Sequence, residues 1–418
     1  MFEGRFNNVL VFIIYISIFV YAKTLFTEPF EFYIGYFAYL LLLPIFIFRH
    51  SFPRVFVYVF FFLFIHGWFY VLNGDNTWAY FIKIFLGVAF SYLFYYYVIV
   101  EANFDVQKLF ELYLKGVYIV CIIAWVQFIS FKLNFVQGYD YSSILNKWGV
   151  IKGGTFGIRI NSIFMEPTHF ATFTSSAVFV CIYSLFVKPF YFSRFQCAVI
   201  IGAYFLSFSG MGYWGIIIML FLLAINFGFV KSAVFGLPFI IVTYIYLYNN
   251  VYEFRDRIDG LTEVYETNEY EVGRTHGSAI NLYDNYNVAK QNFGEHWFGT
   301  GLGSHPIAFD KYSMAKKIKI GGFVNNAKDA NSMFLRLMSE TGIVGIVAAL
   351  LLIFNFFIIR RPNAGELIDE TYWIISSALL VMIILNLLRQ GHYFLFGFPF
   401  FVLLYAYNSL NYRYRYKM

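Results

Sequence analysis

Long apolar runs separated by short polar breaks dominate the chain. About twelve of them approach the roughly 20 apolar residues that a helix needs to cross a bilayer. They lie at about 8–26, 32–49, 54–72, 78–100, 110–131, 167–187, 195–209, 211–230, 232–249, 339–359, 372–389 and 393–409. Because backbone polar groups in lipid must be bonded within their own segment, each run predicts a transmembrane helix. The pattern therefore predicts an all-α polytopic membrane protein with about 12 transmembrane helices.

Two longer polar segments interrupt this pattern and divide the chain. Residues 1–249 hold the first nine runs and a smaller loop at about 132–166, whereas residues 339–418 hold the last three runs and a tail. Residues 250–338 form one large loop between the ninth and tenth helices. Within it, apolar residues recur every three or four positions from Ala279 to Phe293, which predicts an amphipathic helix and a partly helical loop.

Composition excludes a soluble protein. Only 13% of the residues are charged and 60% are hydrophobic, whereas a soluble domain carries about 25% charged residues. The three cysteines, Cys121, Cys181 and Cys197, lie within apolar runs, which favours packing over redox or metal chemistry. The net charge of +6 is therefore interpreted by position along the chain and does not indicate a nucleic-acid partner.

The distribution of Lys and Arg predicts the orientation, because basic residues accumulate in short cytoplasmic loops. With the N-terminus inside, the inner set has twelve members: Arg5, Arg49, Arg54, Lys108, Lys188, Arg194, Lys231, Arg360, Arg361, Arg413, Arg415 and Lys417. The outer short loops carry only two, Lys23 and Arg389. Both termini are therefore predicted to be cytoplasmic, and both long polar segments are predicted to face outward.

A first cluster of chemically capable residues precedes the sixth run. Glu166 stands directly before Pro167, which suits the first turn of a helix, and His169 follows on the same helical face. Arg159 lies a few residues upstream. A carboxylate, an imidazole and a guanidinium are therefore predicted to meet where a membrane helix begins on the outer side. A helix cap with an interfacial arginine is the alternative interpretation of the same residues.

A second cluster lies in the large loop, where Arg274 and His276 directly precede the predicted amphipathic helix. The segment ahead of them is acidic and carries Glu253, Asp256, Asp259, Glu263, Glu266, Glu269 and Glu271. The spacing of these carboxylates matches no calcium-binding loop, so a solvated face is favoured over a metal site.

A glycine run over residues 299–304 suggests nucleotide binding only weakly. No lysine of the phosphate-binding type follows it, and no parallel βα unit surrounds it. A turn at the membrane surface is favoured. His305, directly after the run, is equally compatible with a structural and a catalytic role.

A third cluster enters the tenth run and is completed by the last outer turn. Asn331, Arg336 and Glu340 are predicted to lie near the outer interface. Arg389 lies in the turn between the last two runs, followed by Gln390 and His392. By topology, arginines 159, 274, 336 and 389 could all face one external site. Charged groups at this depth are costly unless they are paired or hydrated, so their clustering indicates function.

These stretches resemble the O-antigen polymerase and O-antigen ligase superfamily of bacterial envelope glycosyltransferases. The matching residues are Arg159 to Phe170, Arg274, Gly299 to Ser304, and Asn331 to Gly345. The resemblance implies a bacterial cytoplasmic (inner) membrane protein whose active site, on the outer face, acts on undecaprenyl-diphosphate-linked glycans. Ligases of the family carry a histidine directly before the asparagine that aligns with Asn331, and this chain has Ala330 there.

That departure favours a polymerase for O-antigen, capsule or exopolysaccharide over a ligase that transfers glycan to lipid A core. The resemblance also implies a chain-length regulator and a flippase as possible partners. A lipid-linked oligosaccharide flippase or other transporter is a further alternative, as is a receptor or scaffold. Transporters, however, concentrate polar residues near the bilayer midplane, whereas here they gather at the outer ends of the helices.

The transfer chemistry assigns roles to these residues. We expect Arg159 and Arg274 to clamp the leaving diphosphate, because the arginine fork binds phosphate oxygens in pairs and stays charged. Arg336 or Arg389 assists, and Asn331 and Glu340 contribute to substrate binding. The base that takes the proton of the acceptor hydroxyl is expected among three residues: Glu166, His169 and His276. Fixed cations supply the electrostatic stabilisation, so no metal or cofactor is predicted.

Overall fold

The computed structural model describes residues 2–21, 23–26, 31–145, 148–153, 156–228, 238, 241–242, 244–246, 248–250, 252–267, 277–314, 319–320, 323–324, 327–361 and 367–416. Helices dominate these residues, and their strands form three two-stranded antiparallel hairpins. The strands are β1 (Thr24–Phe26), β2 (Phe32–Tyr33), β3 (Ile151–Lys152), β4 (Ile158–Arg159), β5 (Lys319–Ile320) and β6 (Phe323–Val324).

The first part of the chain contains nine described helices. They are α1 (Phe2–Phe19), α2 (Gly35–His50), α3 (Arg54–Leu72), α4 (Trp78–Glu101), α5 (Val106–Lys132), α6 (Val136–Tyr139), α7 (Pro167–Phe186), α8 (Arg194–Leu206) and α9 (Gly210–Phe227). The large loop contributes α10 (Tyr252–Thr267), α11 (Gly277–Glu295) and α12 (His305–Tyr312). The remainder holds α13 (Met333–Glu340), α14 (Gly342–Phe356), α15 (Leu367–Arg389) and α16 (Phe398–Tyr416), with a 3-10 turn at Leu395–Gly397.

Six described helices are long and apolar enough to cross a membrane, namely α3, α4, α5, α7, α9 and residues 369–389 of α15. Three shorter apolar helices, α2, α8 and α14, accompany them. The prediction of an all-α membrane protein is therefore confirmed. A described helix overlaps every predicted apolar run except 232–249, of which the structure describes only isolated residues. The total of about twelve spans, the large outer loop and the orientation stay predictions.

The centre of the bundle is formed by α7 and α15. Every residue of α7 from Phe170 to Ser184 is buried. Many of these residues are small, which lets neighbouring helices approach closely, and hydroxyl groups bond across the contacts. The Ser176 Oγ atom donates to the Ala378 carbonyl at 2.7 Å. These contacts hold the start of α7 and the end of α15 beside each other.

One end of the bundle carries described basic residues that the sequence predicts to be cytoplasmic, among them Arg49 and Lys188. Glu101 accepts from Arg49 at 3.2 Å and lies 2.6 Å from His50 Nε2. Glu370 pairs with Lys188 at the same end. The candidate active-site residues lie at the opposite ends of these helices. The two ends of the bundle therefore carry two separate clusters of charged side chains.

The predicted tenth run is broken between α13 and α14, and the glycine run packs against the break. The Ser339 and Glu340 carbonyls accept from the N–H groups of Thr300 at 3.2 Å and Gly301 at 2.8 Å. Gly342 has φ +59°, and a Cβ atom there would lie 2.2 Å from the Trp297 carbonyl oxygen. The glycine run therefore forms a turn whose N–H groups bond to the last carbonyl groups of α13.

Candidate active site

The segment that carries Arg159 is held by a buried glutamine of α5. Gln127 Oε1 accepts from the N–H groups of Ser162 at 2.8 Å and Asn161 at 3.2 Å, and its amide nitrogen donates to Asn161 Oδ1 at 2.9 Å. Buried polar groups require such partners. Arg159 lies on β4, just ahead of this loop; it is half-buried, and its Nε atom is shielded from water. The loop thereby places Arg159 and the start of α7 in one rigid segment.

Glu166 occupies the N-cap of α7, followed by Pro167 in the first turn, as the sequence predicts. Its backbone is extended, and its side chain makes no capping hydrogen bond. His169 lies one turn on, where its ring centroid is 5.0 Å from that of Phe396. The half-buried Glu166 carboxylate therefore remains beside His169 without serving as the helix cap.

The turn before α13 is strained. Ala330 and Asn331 both have φ +55°, a left-handed conformation that non-glycine residues adopt rarely and that is found at functional sites. Asp329 Oδ1 accepts from the Asn331 N–H at 3.1 Å. With its amide oriented to match its neighbours, Asn331 Oδ1 accepts from the Arg389 guanidinium at 2.9 and 3.3 Å. The turn is therefore bonded to the end of α15.

Arg336 and Glu340 form a buried network with the turn between α15 and α16. Arg336 is 2% exposed and donates from Nε to Glu340 Oε1 at 2.8 Å and from NH1 to the Gly391 carbonyl at 2.7 Å. The Tyr393 hydroxyl donates to Glu340 Oε2 at 3.0 Å, and its ring lies 4.7 Å from the guanidinium. These bonds tie α13 to residues 391–393 and leave the guanidinium directed into the protein.

Asp329 and His392 form a second pair beside this network. His392 Nε2 lies 3.0 Å from Asp329 Oδ2. Burial raises the pKa of Asp329, but the hydrogen bond and charge of His392, the Asn331 N–H and the charge of Arg336 together hold that pKa well below its usual range. The carboxyl group is therefore an anion at neutral pH.

The structure brings most of the predicted site residues together. His169 is within electrostatic range of Glu166, His392 and Asp329, and these connect in turn to the networks of Asn331 with Arg389 and of Arg336 with Glu340. Arg159 is carried to the same end by the segment that begins α7. Arg274 and His276 lie outside the described residues, so their predicted roles stay predictions.

The sequence did not indicate that Asp329, His392 and Tyr393 contact the predicted site residues. It also did not decide between a structural and a catalytic role for His305. His305 is fully buried at the start of α12, and its Nε2 lies 2.9 Å from Asn285 Oδ1. Burial, and after it the charge of Arg336, lowers the pKa of His305 to about 3, and the charge of Asp329 opposes this shift. The imidazole is therefore neutral at neutral pH and behaves as a buried structural group next to the site.

The buried state of His305 predicts acid sensitivity. Its native pKa of about 3 lies below the ordinary value of about 6.5. The unfolded chain therefore binds more protons, and stability falls as the pH decreases from about 6.5 towards 3. We expect the melting temperature of wild type to drop between about pH 7 and pH 4.5, and to drop less in His305→Gln. Equal drops in both proteins would contradict this origin of the acid sensitivity.

Gly391 predicts a second, steric effect. A Cβ atom at this position would lie 1.6 Å from the Asp329 carbonyl oxygen, so Gly391→Ala must push apart the two turns that carry Asp329 and His392. We expect the rate of the glycan transfer predicted from the sequence to fall at least tenfold, which corresponds to about 1.4 kcal/mol in its activation free energy. Gly294→Ala in α11 is the matched control, because its Cβ would meet nothing within 4 Å and its backbone is helical. Full activity of Gly391→Ala would show that the spacing of the two turns is unimportant.

Within the part of the chain that the structure describes, no group of three or more His, Cys, Asp or Glu side chains could hold a metal ion. The groups assembled at this end are three guanidinium groups, carboxylates and imidazoles, which suit phosphate binding and proton transfer. No protein-family model, curated protein or solved structure matches the chain.

Proposed function

We propose that this chain is a polysaccharide polymerase of the bacterial cytoplasmic membrane. It transfers a growing glycan from undecaprenyl diphosphate to an incoming lipid-linked repeat unit and releases undecaprenyl diphosphate. The observation that carries this proposal is the meeting of three distant segments, 166–169, 329–340 and 389–393, at one end of an apolar bundle. Hydrogen bonds and an ion pair join 329–340 to 389–393, and His169 lies close enough to His392 and Asp329 to interact electrostatically. The resemblance to the O-antigen polymerase and ligase superfamily involves two of these segments.

The diphosphate is the group that most needs stabilisation, because it leaves with negative charge near the membrane. Arginine binds phosphate oxygens in pairs and stays charged at such a site. Arg159 and Arg389 are both half-buried at this end of the bundle, and we assign them, together with Arg274, to the diphosphate. Arg336 is bonded to Glu340 and Gly391 inside the protein, which favours a positioning role for it.

The apolar substrate tail and the glycan need different surroundings. Membrane-facing side chains such as Phe61 and Phe62 of α3 are exposed, as expected of a helix in contact with lipid. The polyprenyl tail occupies the lipid-facing grooves between helices, and the glycan extends outward beneath the large loop. This arrangement places transfer on the outer face, with both termini in the cytoplasm. A chain-length regulator and a flippase are the expected partners.

Reconstitution tests this function against its rivals. The purified chain is placed in liposomes with lipid-linked repeat units, with and without a lipid A core acceptor. Longer lipid-linked glycans with release of undecaprenyl diphosphate support a polymerase. Transfer that occurs only to lipid A core would identify a ligase, and movement across the bilayer without elongation would identify a flippase. Either of these two results would overturn the proposal.

A further inference from the structure

The pair formed by His392 and Asp329 has the arrangement of a proton acceptor. The Asp329 side chain is 15% exposed and that of His392 is 37% exposed, so the carboxylate is shielded and the imidazole reaches the surface of the site. A carboxylate accepts from Nε2–H, which leaves the other ring nitrogen, Nδ1, as an unprotonated acceptor. In the described part of the chain, His392 makes no second hydrogen bond.

Four contacts fix the pair in place. Asp329 Oδ1 accepts from the Asn331 N–H at 3.1 Å, and the Gly391 carbonyl accepts from Arg336 NH1 at 2.7 Å. Ser332 Oγ donates to the Leu387 carbonyl at 2.8 Å, and Gly391 packs directly on the Asp329 backbone. The strained left-handed turn is thus held against the last outer turn from both sides. Such rigidity is what proton transfer in a transition state requires.

We propose that His392 is the general base of glycosyl transfer and that Asp329 is its positioning residue. The inference rests on the proposed polymerase function. His392 Nδ1 takes the proton from the acceptor hydroxyl while the hydroxyl oxygen bonds to the anomeric carbon of the growing glycan. The bond from that carbon to the diphosphate oxygen breaks, and undecaprenyl diphosphate leaves with the electron pair. The Asp329 carboxylate stabilises the imidazolium, which then returns its proton to water.

In this assignment His392 takes the role of base that the sequence predicts for Glu166, His169 or His276. His169 lies on the first turn of α7 beside Glu166, with its ring centroid 5.0 Å from that of Phe396. Neither residue has the shielded carboxylate partner within hydrogen-bonding distance that His392 has. The charged and titratable groups that face the pair are Glu166 and His169 from α7, Arg336 from α13, Arg389 from the end of α15, Tyr33 from β2 and His305 from α12.

The test compares His392→Gln with wild type in liposomes that contain lipid-linked repeat units. Glutamine can still donate to Asp329, so the fold should persist, while the proton acceptor is removed. We expect kcat to fall by about 10²–10⁴-fold with KM little changed. Asp329→Asn should lower kcat as well, because the asparagine no longer stabilises the imidazolium.

The matched control is His50→Gln at the opposite end, where His50 Nε2 lies 2.6 Å from Glu101 in a comparable pair. Its kcat should equal that of wild type. Wild-type kcat in His392→Gln would overturn the base assignment alone. Loss of undecaprenyl diphosphate binding or of thermal stability in His392→Gln would make the pair structural and overturn it also. Absence of elongation by wild type would instead overturn the polymerase function itself and the base assignment with it.

Discussion

Arg159→Ala is expected to abolish long-chain polymer in cells while the protein remains in the membrane. Arg159 lies half-buried at the end of the bundle where α7 begins. A guanidinium there offers paired donors to a diphosphate, and removing it takes away one of the three arginines that we assign to stabilise the leaving charge. Arg159→Lys should recover only part of the polymer, because lysine keeps the charge but loses the fork. The measurement is gel analysis of polymer length after complementation of a strain lacking the gene.

Arg194→Ala is the matched control for this experiment. Arg194 is exposed at the start of α8, at the opposite end of the bundle, and the structure gives it no role in the site. It should support full-length polymer. Arg274→Ala is expected to match Arg159→Ala, since the sequence assigns Arg274 to the same clamp. Full-length polymer from both Arg159→Ala and Arg274→Ala would end the clamp proposal.

Glu340→Gln is expected to destabilise the protein strongly. Glu340 is fully buried and accepts hydrogen bonds from Arg336 Nε at 2.8 Å and from the Tyr393 hydroxyl at 3.0 Å. Glutamine keeps the shape but leaves the Arg336 charge buried without a counter-ion. Breaking a buried pair in this way costs about 3–5 kcal/mol. The melting temperature in detergent and the protein level in membranes should both fall sharply.

Two further variants test that explanation. The double variant Arg336→Met with Glu340→Leu removes both charges, so most of the lost stability should return. Glu295→Gln breaks the exposed pair of Glu295 with Lys311, 2.7 Å apart, and should change the melting temperature little, because water screens such pairs. If Glu340→Gln melts like wild type, ionic pairing does not hold α13 to the last outer turn.

The helices were predictable from sequence because membrane insertion depends on a simple local property. A long apolar run must form a helix in lipid, and Pro167 marks the start of α7 because its missing N–H is not needed there. Arg336 and Glu340 are four residues apart in α13, so their pairing also follows from helical spacing. Rules of this kind relate only residues that lie within one helix.

The rest depends on contacts between elements. The sequence predicts by topology that the turn before α13 and the turn after α15 face one site, but no spacing in it indicates that Asp329 pairs with His392. The sequence did not indicate the break between α13 and α14, because the break lies within a predicted apolar run. The glycine run whose N–H groups bond to the carbonyls at this break lies in the preceding loop. In α11 the buried positions include Asp284, Asn285 and Asn292, so the predicted apolar periodicity does not describe its whole buried face.

The most direct test of the account is the affinity of the purified protein, in lipid nanodiscs, for undecaprenyl diphosphate. A charge-assisted hydrogen bond contributes about 1.5–3 kcal/mol, so Arg159→Ala and Arg389→Ala should each raise Kd at least about tenfold. Arg194→Ala should leave Kd unchanged. Wild-type affinity in both Arg159→Ala and Arg389→Ala would contradict the account, as would an equal loss of affinity in Arg194→Ala.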